Sequence, residues 1–138
     1  MRIAVPKETA AGERRVALVP ESCKKLRDAG YEISIEAGAG VQAGFPDEGY
    51  RDVGVAIEAD PAALFGSADL VLKIAAPATS RNDGRDETAW MRPGAIYVGS
   101  LMPLRHLEAV RTLAAHRVTA FSTDAIPRPT RAQSMDPL

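Results

Sequence analysis

Two cations are the residues of this chain best placed by type to hold an anion. Arg15 closes the polar stretch KETAAGERR that follows a short apolar run, and Lys73 stands inside the apolar segment LVLKI. An ammonium within an apolar strand is costly unless it is paired or lies at the strand's exposed end. Lys73 therefore reads equally as a site residue or as a lysine whose stem lies along a sheet while its head reaches water. If Arg15 and Lys73 face one crevice, their charges suit a carboxylate or a phosphate.

A second pattern is Gly38-x-Gly40-x-x-Ala43, with Glu58 at the distance of a ribose-binding acid. That fingerprint holds a pyrophosphate because its last position opens a helix whose amino end faces the ligand. Here Gly44-Phe45-Pro46 follows and breaks any helix, so the pattern reads as a plain glycine-rich loop. His106 and His116 are ten residues apart, too far along one helix to pair on a metal, and read as surface residues. Ser134 has neither a histidine nearby nor the glycines of a nucleophile elbow. Arg128, Arg131, Gln133 and Asp136 form a polar group near the end of the sequence which, as pattern alone, resembles a frayed terminus.

The elements that must position these residues alternate. Arg2 to Val5 is a short strand, and Lys7 to Arg15 a loop. Pro20 suits the first position of a helix that Gly30 stops. Tyr31, Ile33 and Ile35 alternate with polar residues, as a strand with one buried face does. Short helices are expected from Asp47 and from Pro61, with a brief strand at Val55 to Ile57 between them. Ala68 to Ile74 is nearly continuously apolar, the signature of a central parallel strand. Ala75 to Glu87 reads as a polar loop, Ala95 to Val98 as a strand, Pro103 to His116 as an amphipathic helix, and Val118 to Phe121 as a last strand. Such alternation implies an α/β fold with a mostly parallel sheet and helices on both faces. Ligands then sit beyond the carboxyl ends of the strands, at the loops after Val5, Ile74, Val98 and Phe121.

The 138 residues, 46% hydrophobic, suffice for one domain and not for a two-domain enzyme. Seventeen Lys and Arg against 18 Asp and Glu leave a net charge of -1, which argues against nucleic-acid binding by counterion release. Cys23 is the only cysteine, so no intrachain disulfide or multi-thiolate metal site is expected. No apolar run approaches the ~20 residues of a membrane span, and a cytosolic or membrane-peripheral chain is expected.

Several segments carry a resemblance. RIAVPKETAAGERRVALVP, GAGVQAGFPDEGY, ADLVLKI and MRPGAIYVGSL resemble the amino-terminal domain shared by alanine dehydrogenases and the alpha subunit of proton-translocating NAD(P) transhydrogenase. The tail DAIPRPTRAQSMD is similar to the transhydrogenase branch, where an Arg-Gln-Asp loop reaches over the nicotinamide of bound NAD. The resemblance implies a flavodoxin-like domain over residues 1–126, incomplete without the Rossmann domain and later helical segment that follow in the family. Residues 127–138 would begin the nicotinamide-contacting loop and linker.

By the same resemblance Arg128, Pro129, Thr130, Arg131 and Asp136 would contact NAD(H), and Gln133 would bridge toward the NADP(H) held by a partner subunit and act in hydride transfer. No metal is implied. The implied assembly is a homodimer of alpha subunits with the beta subunit and a membrane domain, at the inner face of the plasma membrane. The alanine dehydrogenase branch resembles the chain at Arg15 and Lys73, the positions that hold pyruvate there. It differs at Ser100, where those enzymes carry a histidine acid/base. Oxidative deamination moves protons as well as a hydride and needs a group that titrates near neutral pH. Transhydrogenation needs mainly approach and alignment of two nicotinamides. Transhydrogenation is therefore the expected function, with an alanine- or saccharopine-type amino-acid dehydrogenase as one alternative and a non-catalytic scaffold domain as another.

Overall fold

The computed structural model describes residues 1–78, 84–101 and 107–123. Six strands, β1 (Arg2–Val5), β2 (Glu32–Glu36), β3 (Ala56–Glu58), β4 (Leu70–Leu72), β5 (Ile96–Gly99) and β6 (Thr119–Ser122), form one parallel sheet in the order 3-2-1-4-5-6. The helices are α1 (Pro20–Asp28), α2 (Asp47–Arg51), α3 (Pro61–Ser67), α4 (Glu87–Trp90) and α5 (Leu107–Ala115). The parallel α/β architecture is as expected. Within it β3 stands outside β2, so β4 is the strand that flanks β1, a position β3 takes in the flavodoxin order.

Register divides the core in two. Ala4, Val71 and Tyr97 are paired neighbours on one face and pack with Leu64 and Phe65 of α3, Met91, and Leu113 of α5. Ile3, Val5, Ile33 and Ile35 face the other way, onto Cys23 of α1 and Tyr50 of α2. Each large side chain buried in this way contributes roughly 1.5–3 kcal/mol relative to exposure. On this second face the sheet beyond β1 is less covered. Leu70, Leu72, Ile96 and Val98 are half-buried, and Phe121 of the edge strand β6 is 58% exposed.

Local chemistry explains the element ends. Pro20 opens α1, Lys25 and Arg27 lie in its last turn, and Gly30 leaves it at φ +99°. Asp60 and Asp86 cap α3 and α4 by accepting from the amides of Ala62 and Ala89. The helix α4 begins at Glu87, the last residue of the segment read from sequence as a polar loop, and was not expected. It has a single turn, too short for its periodicity to register.

Candidate functional site

The sheet changes direction between β1 and β4, since β2 and β3 extend from one and β5 and β6 from the other. In open α/β sheets the crevice at the carboxyl ends of such a pair is where ligands bind. Its two lips here are the loop that begins at Pro6, after β1, and the turn from Lys73 to Ala78, after β4.

Five charged side chains join these lips. Lys73 Nζ lies 2.8 Å from Glu87 Oε1 and 3.9 Å from Glu8 Oε1, and the Lys73 and Glu87 side chains are 1% and 0% exposed. The other oxygen of Glu87 accepts from Arg85 Nε at 2.7 Å, and Arg85 reaches on to Glu36 at 2.7 Å. Backbone amides complete the acceptors. Glu8 takes those of Ile74 and Ala75 at 2.9 and 3.1 Å, Glu87 that of Ala78, and Glu36 that of Lys7. Buried charges are tolerated only when paired and hydrogen-bonded, and each carboxylate here meets that requirement. The turn after β4 is also held from β5. Tyr97 Oη donates to the carbonyl of Ala75 at 2.5 Å, and a Cβ on Gly99 would come 2.9 Å from that oxygen, so only glycine fits.

Burial raises the Glu8 carboxyl above its ordinary value of 4.5, while the Lys73 ammonium and the two amides act in the opposite sense. Burial opposes the charge of Arg85, but its bonds to Glu36 and Glu87 outweigh that and raise its pKa. The Tyr97 phenol is held well above its ordinary value by burial, with Glu87 and Glu8 adding to the shift.

The two sequence-predicted cations are thus differently placed. Lys73 is enclosed and neutralised by Glu87. Arg15 is exposed and bonded to Glu13 at 2.7 Å, which raises the Arg15 pKa and lowers that of Glu13. Ser100 follows β5 with its amide on the carbonyl of Ile74. His116 is apart from the crevice, its Nε2 against the carbonyl of Met91. His106, Arg128, Pro129, Thr130, Arg131, Gln133, Ser134 and Asp136 lie outside the described residues. Glu8, Glu36, Arg85 and Glu87 were not singled out from sequence. Glu8 lies in the loop after β1, Glu36 ends β2, Arg85 lies just before α4 and Glu87 opens it, so the one available signal was that a lysine in LVLKI needs a buried carboxylate somewhere.

The described residues do not form a dinucleotide cradle. The chain leaves β1 through Pro6 into a 14-residue connection to α1, in place of a tight glycine turn onto a helix. The loop after β2 is already filled. Gly38 donates its amide to Asp47 Oδ1 at 2.9 Å, and a Cβ on Gly40 would come 2.7 Å from the Tyr50 ring. Val41–Ala43 forms a single 3-10 turn that Gly44 ends at φ +92°, so no helix amino end is presented. Among the described residues no group of His, Cys, Asp and Glu is arranged to hold a metal ion.

Strand order and crevice define a doubly wound α/β domain of the kind found in nicotinamide-dependent enzymes, one whose described residues form no phosphate loop. Residues 4–138 match the family described as Alanine dehydrogenase/PNT, N-terminal domain, and the chain belongs to that family. It is 40% identical over 136 residues to an NAD(P) transhydrogenase subunit alpha chain of Rhodospirillum rubrum, covering 99% of this chain and 35% of that protein. The solved transhydrogenase of Sinorhizobium meliloti superposes with a TM-score of 0.87 at 34% identity, over 99% of this chain and 37% of the other. A solved L-alanine dehydrogenase superposes at 0.84 with 29% identity, over 95% and 34%. The chain therefore spans about a third of the length of these relatives.

Proposed function

We propose that this chain is the amino-terminal part of the NAD(H)-binding alpha subunit of a proton-translocating NAD(P) transhydrogenase. The observation that carries the reading is similarity along nearly the whole chain to transhydrogenase alpha subunits. In the assembled enzyme a hydride passes between NADH on this subunit and NADP on the beta subunit, while protons cross through a membrane domain. The nicotinamides supply the redox chemistry. This domain supplies one wall of the cleft, and the dinucleotide is held by chain beyond the described residues. On this reading residues 127–138 begin the nicotinamide-contacting loop and linker, with Arg128, Pro129, Thr130, Arg131 and Asp136 assigned to the NAD side and Gln133 to the side facing NADP. The alpha subunits pair as a dimer at the inner face of the membrane.

The amino-acid dehydrogenase reading draws on the likeness to L-alanine dehydrogenase. Two features weigh against it. The Lys73 ammonium is enclosed and already paired with Glu87, and Ser100 supplies no group that titrates near neutral pH. The scaffold reading fits the described residues taken alone, which are bound together by buried ion pairs. The test is to assay the full-length parent protein, assembled with its NADP-binding partner, for hydride transfer from NADH to an NADP analogue and for pyruvate amination. Transfer without amination is expected. Amination without transfer overturns the assignment.

A further inference from the structure

One side chain ties the two lips of the crevice between β1 and β4 together. Glu8 belongs to the loop after β1, yet its two oxygens accept the amides of Ile74 and Ala75, which belong to the turn after β4. We propose that Glu8 is a positioning residue for hydride transfer, its carboxylate pinning the turn at Ile74 and Ala75 in the arrangement the cleft needs. The proposal rests on the reading of the chain as a transhydrogenase subunit. Glu8 is not a catalytic residue, since it faces backbone amides and the buried Lys73.

Chemistry makes the pin conditional. A carboxylate offers an acceptor to each of two adjacent amides, whereas the protonated acid has one good acceptor oxygen and a hydroxyl that must itself donate. Protonation therefore releases one of the two amides. The charged surroundings make that protonation accessible. Three carboxylates, Glu8, Glu36 and Glu87, share two buried cations, Lys73 and Arg85, and the pair Lys73 and Glu87 is the tighter at 2.8 Å. Glu8 is left with Lys73 at 3.9 Å, the like charge of Glu87, the attraction of the more distant Arg15, and the phenol of Tyr97 nearby. Burial moves the same group upward from 4.5.

The test is a pH profile of single-turnover hydride transfer in the assembled full-length enzyme, with NADH binding measured in parallel. In the wild type the rate is expected to fall on the acid side with a midpoint above 4.5. The amide resonances of Ile74 and Ala75 in the wild-type protein are expected to titrate at the same midpoint. Glu8→Gln is isosteric but turns a donor toward one amide. It should lower the rate about tenfold and abolish that acid limb, with NADH affinity within about twofold. Glu8→Asp should keep the limb, and Lys73→Met, which removes the cation that favours the carboxylate, should move it to higher pH. A wild-type rate and limb in Glu8→Gln overturns the proposal, as does a loss that NADH affinity and thermal midpoint share in proportion. If the variants fail to fold, amides of Ile74 and Ala75 that do not move at the wild-type midpoint overturn it equally. Failure of the wild-type assembly to pass any hydride from NADH to the NADP analogue would instead remove the transhydrogenase reading, and the amide titration would still judge the pin.

Discussion

Lys73 and Glu87, fourteen residues apart in sequence, meet at 2.8 Å with almost no side-chain exposure. Removing one partner of such a pair leaves the other charge buried, which costs about 3–5 kcal/mol. Glu87→Gln is therefore expected to lower stability by about that amount, because the Lys73 ammonium then has its nearest carboxylate in Glu8 at 3.9 Å, and Arg85 loses one of its two carboxylates. Chemical denaturation of the full-length protein would measure it. A loss below about 1 kcal/mol, the scale of an exposed pair, would mean that water reaches the pair.

Glu8 gives stability a pH dependence whose sign follows from its burial. The folded-state pKa lies above 4.5, so the folded protein binds this proton more tightly than the unfolded chain. The resulting stabilisation is complete below pH 4.5 and is lost as pH rises through the folded-state value. Glu8→Gln should flatten that part of the stability profile, and an unchanged slope in denaturation series across this window would show that Glu8 is not its source. The ionised form is thus the less stable one.

Gly40 serves packing rather than a phosphate. A Cβ there would lie 2.7 Å from the Tyr50 ring and from the carbonyl of Phe45. Gly40→Ala should cost about 1–3 kcal/mol, the range for overpacking a core. Dinucleotide affinity of the folded full-length variant should not change. For the same reason residues 1–138 by themselves should bind NAD weakly, and micromolar affinity in calorimetric titration would contradict this.

The half-covered face across Ile96, Val98 and Phe121 should make the isolated 138-residue chain prone to associate. Light scattering should detect oligomers that Phe121→Ser reduces. A sharp, reversible, monomeric melt of the unaltered fragment would speak against an apolar surface awaiting a partner.

In the assembled enzyme, Gln133 and Arg128 should separate geometry from binding. Gln133→Asn should slow hydride transfer by about 10²-fold, the scale of a 1 Å misplacement, with NAD affinity little changed. Arg128→Ala should weaken NAD binding as well. Equal binding losses in single-turnover and equilibrium measurements on the two variants would remove the division of roles.

The strands and most helices were legible because their signals are local. Alternation at Tyr31, Ile33 and Ile35 and the run ADLVLKI marked β2 and β4 directly, and alternation of element type required a parallel sheet. The absence of a phosphate helix after Gly40 was equally legible, since Gly44-Phe45-Pro46 can be read in sequence. Strand order was not. Placing β4 beside β1 depends on which apolar faces bury together, and that is a property of the whole sheet. The fate of Lys73 was also decided only in three dimensions. Its sequence neighbours left open whether the ammonium met a ligand, water or a carboxylate. Glu87, Glu8 and, through Arg85, Glu36 reach it from three other segments, because a buried charge must be neutralised by whatever the fold brings within about 4 Å.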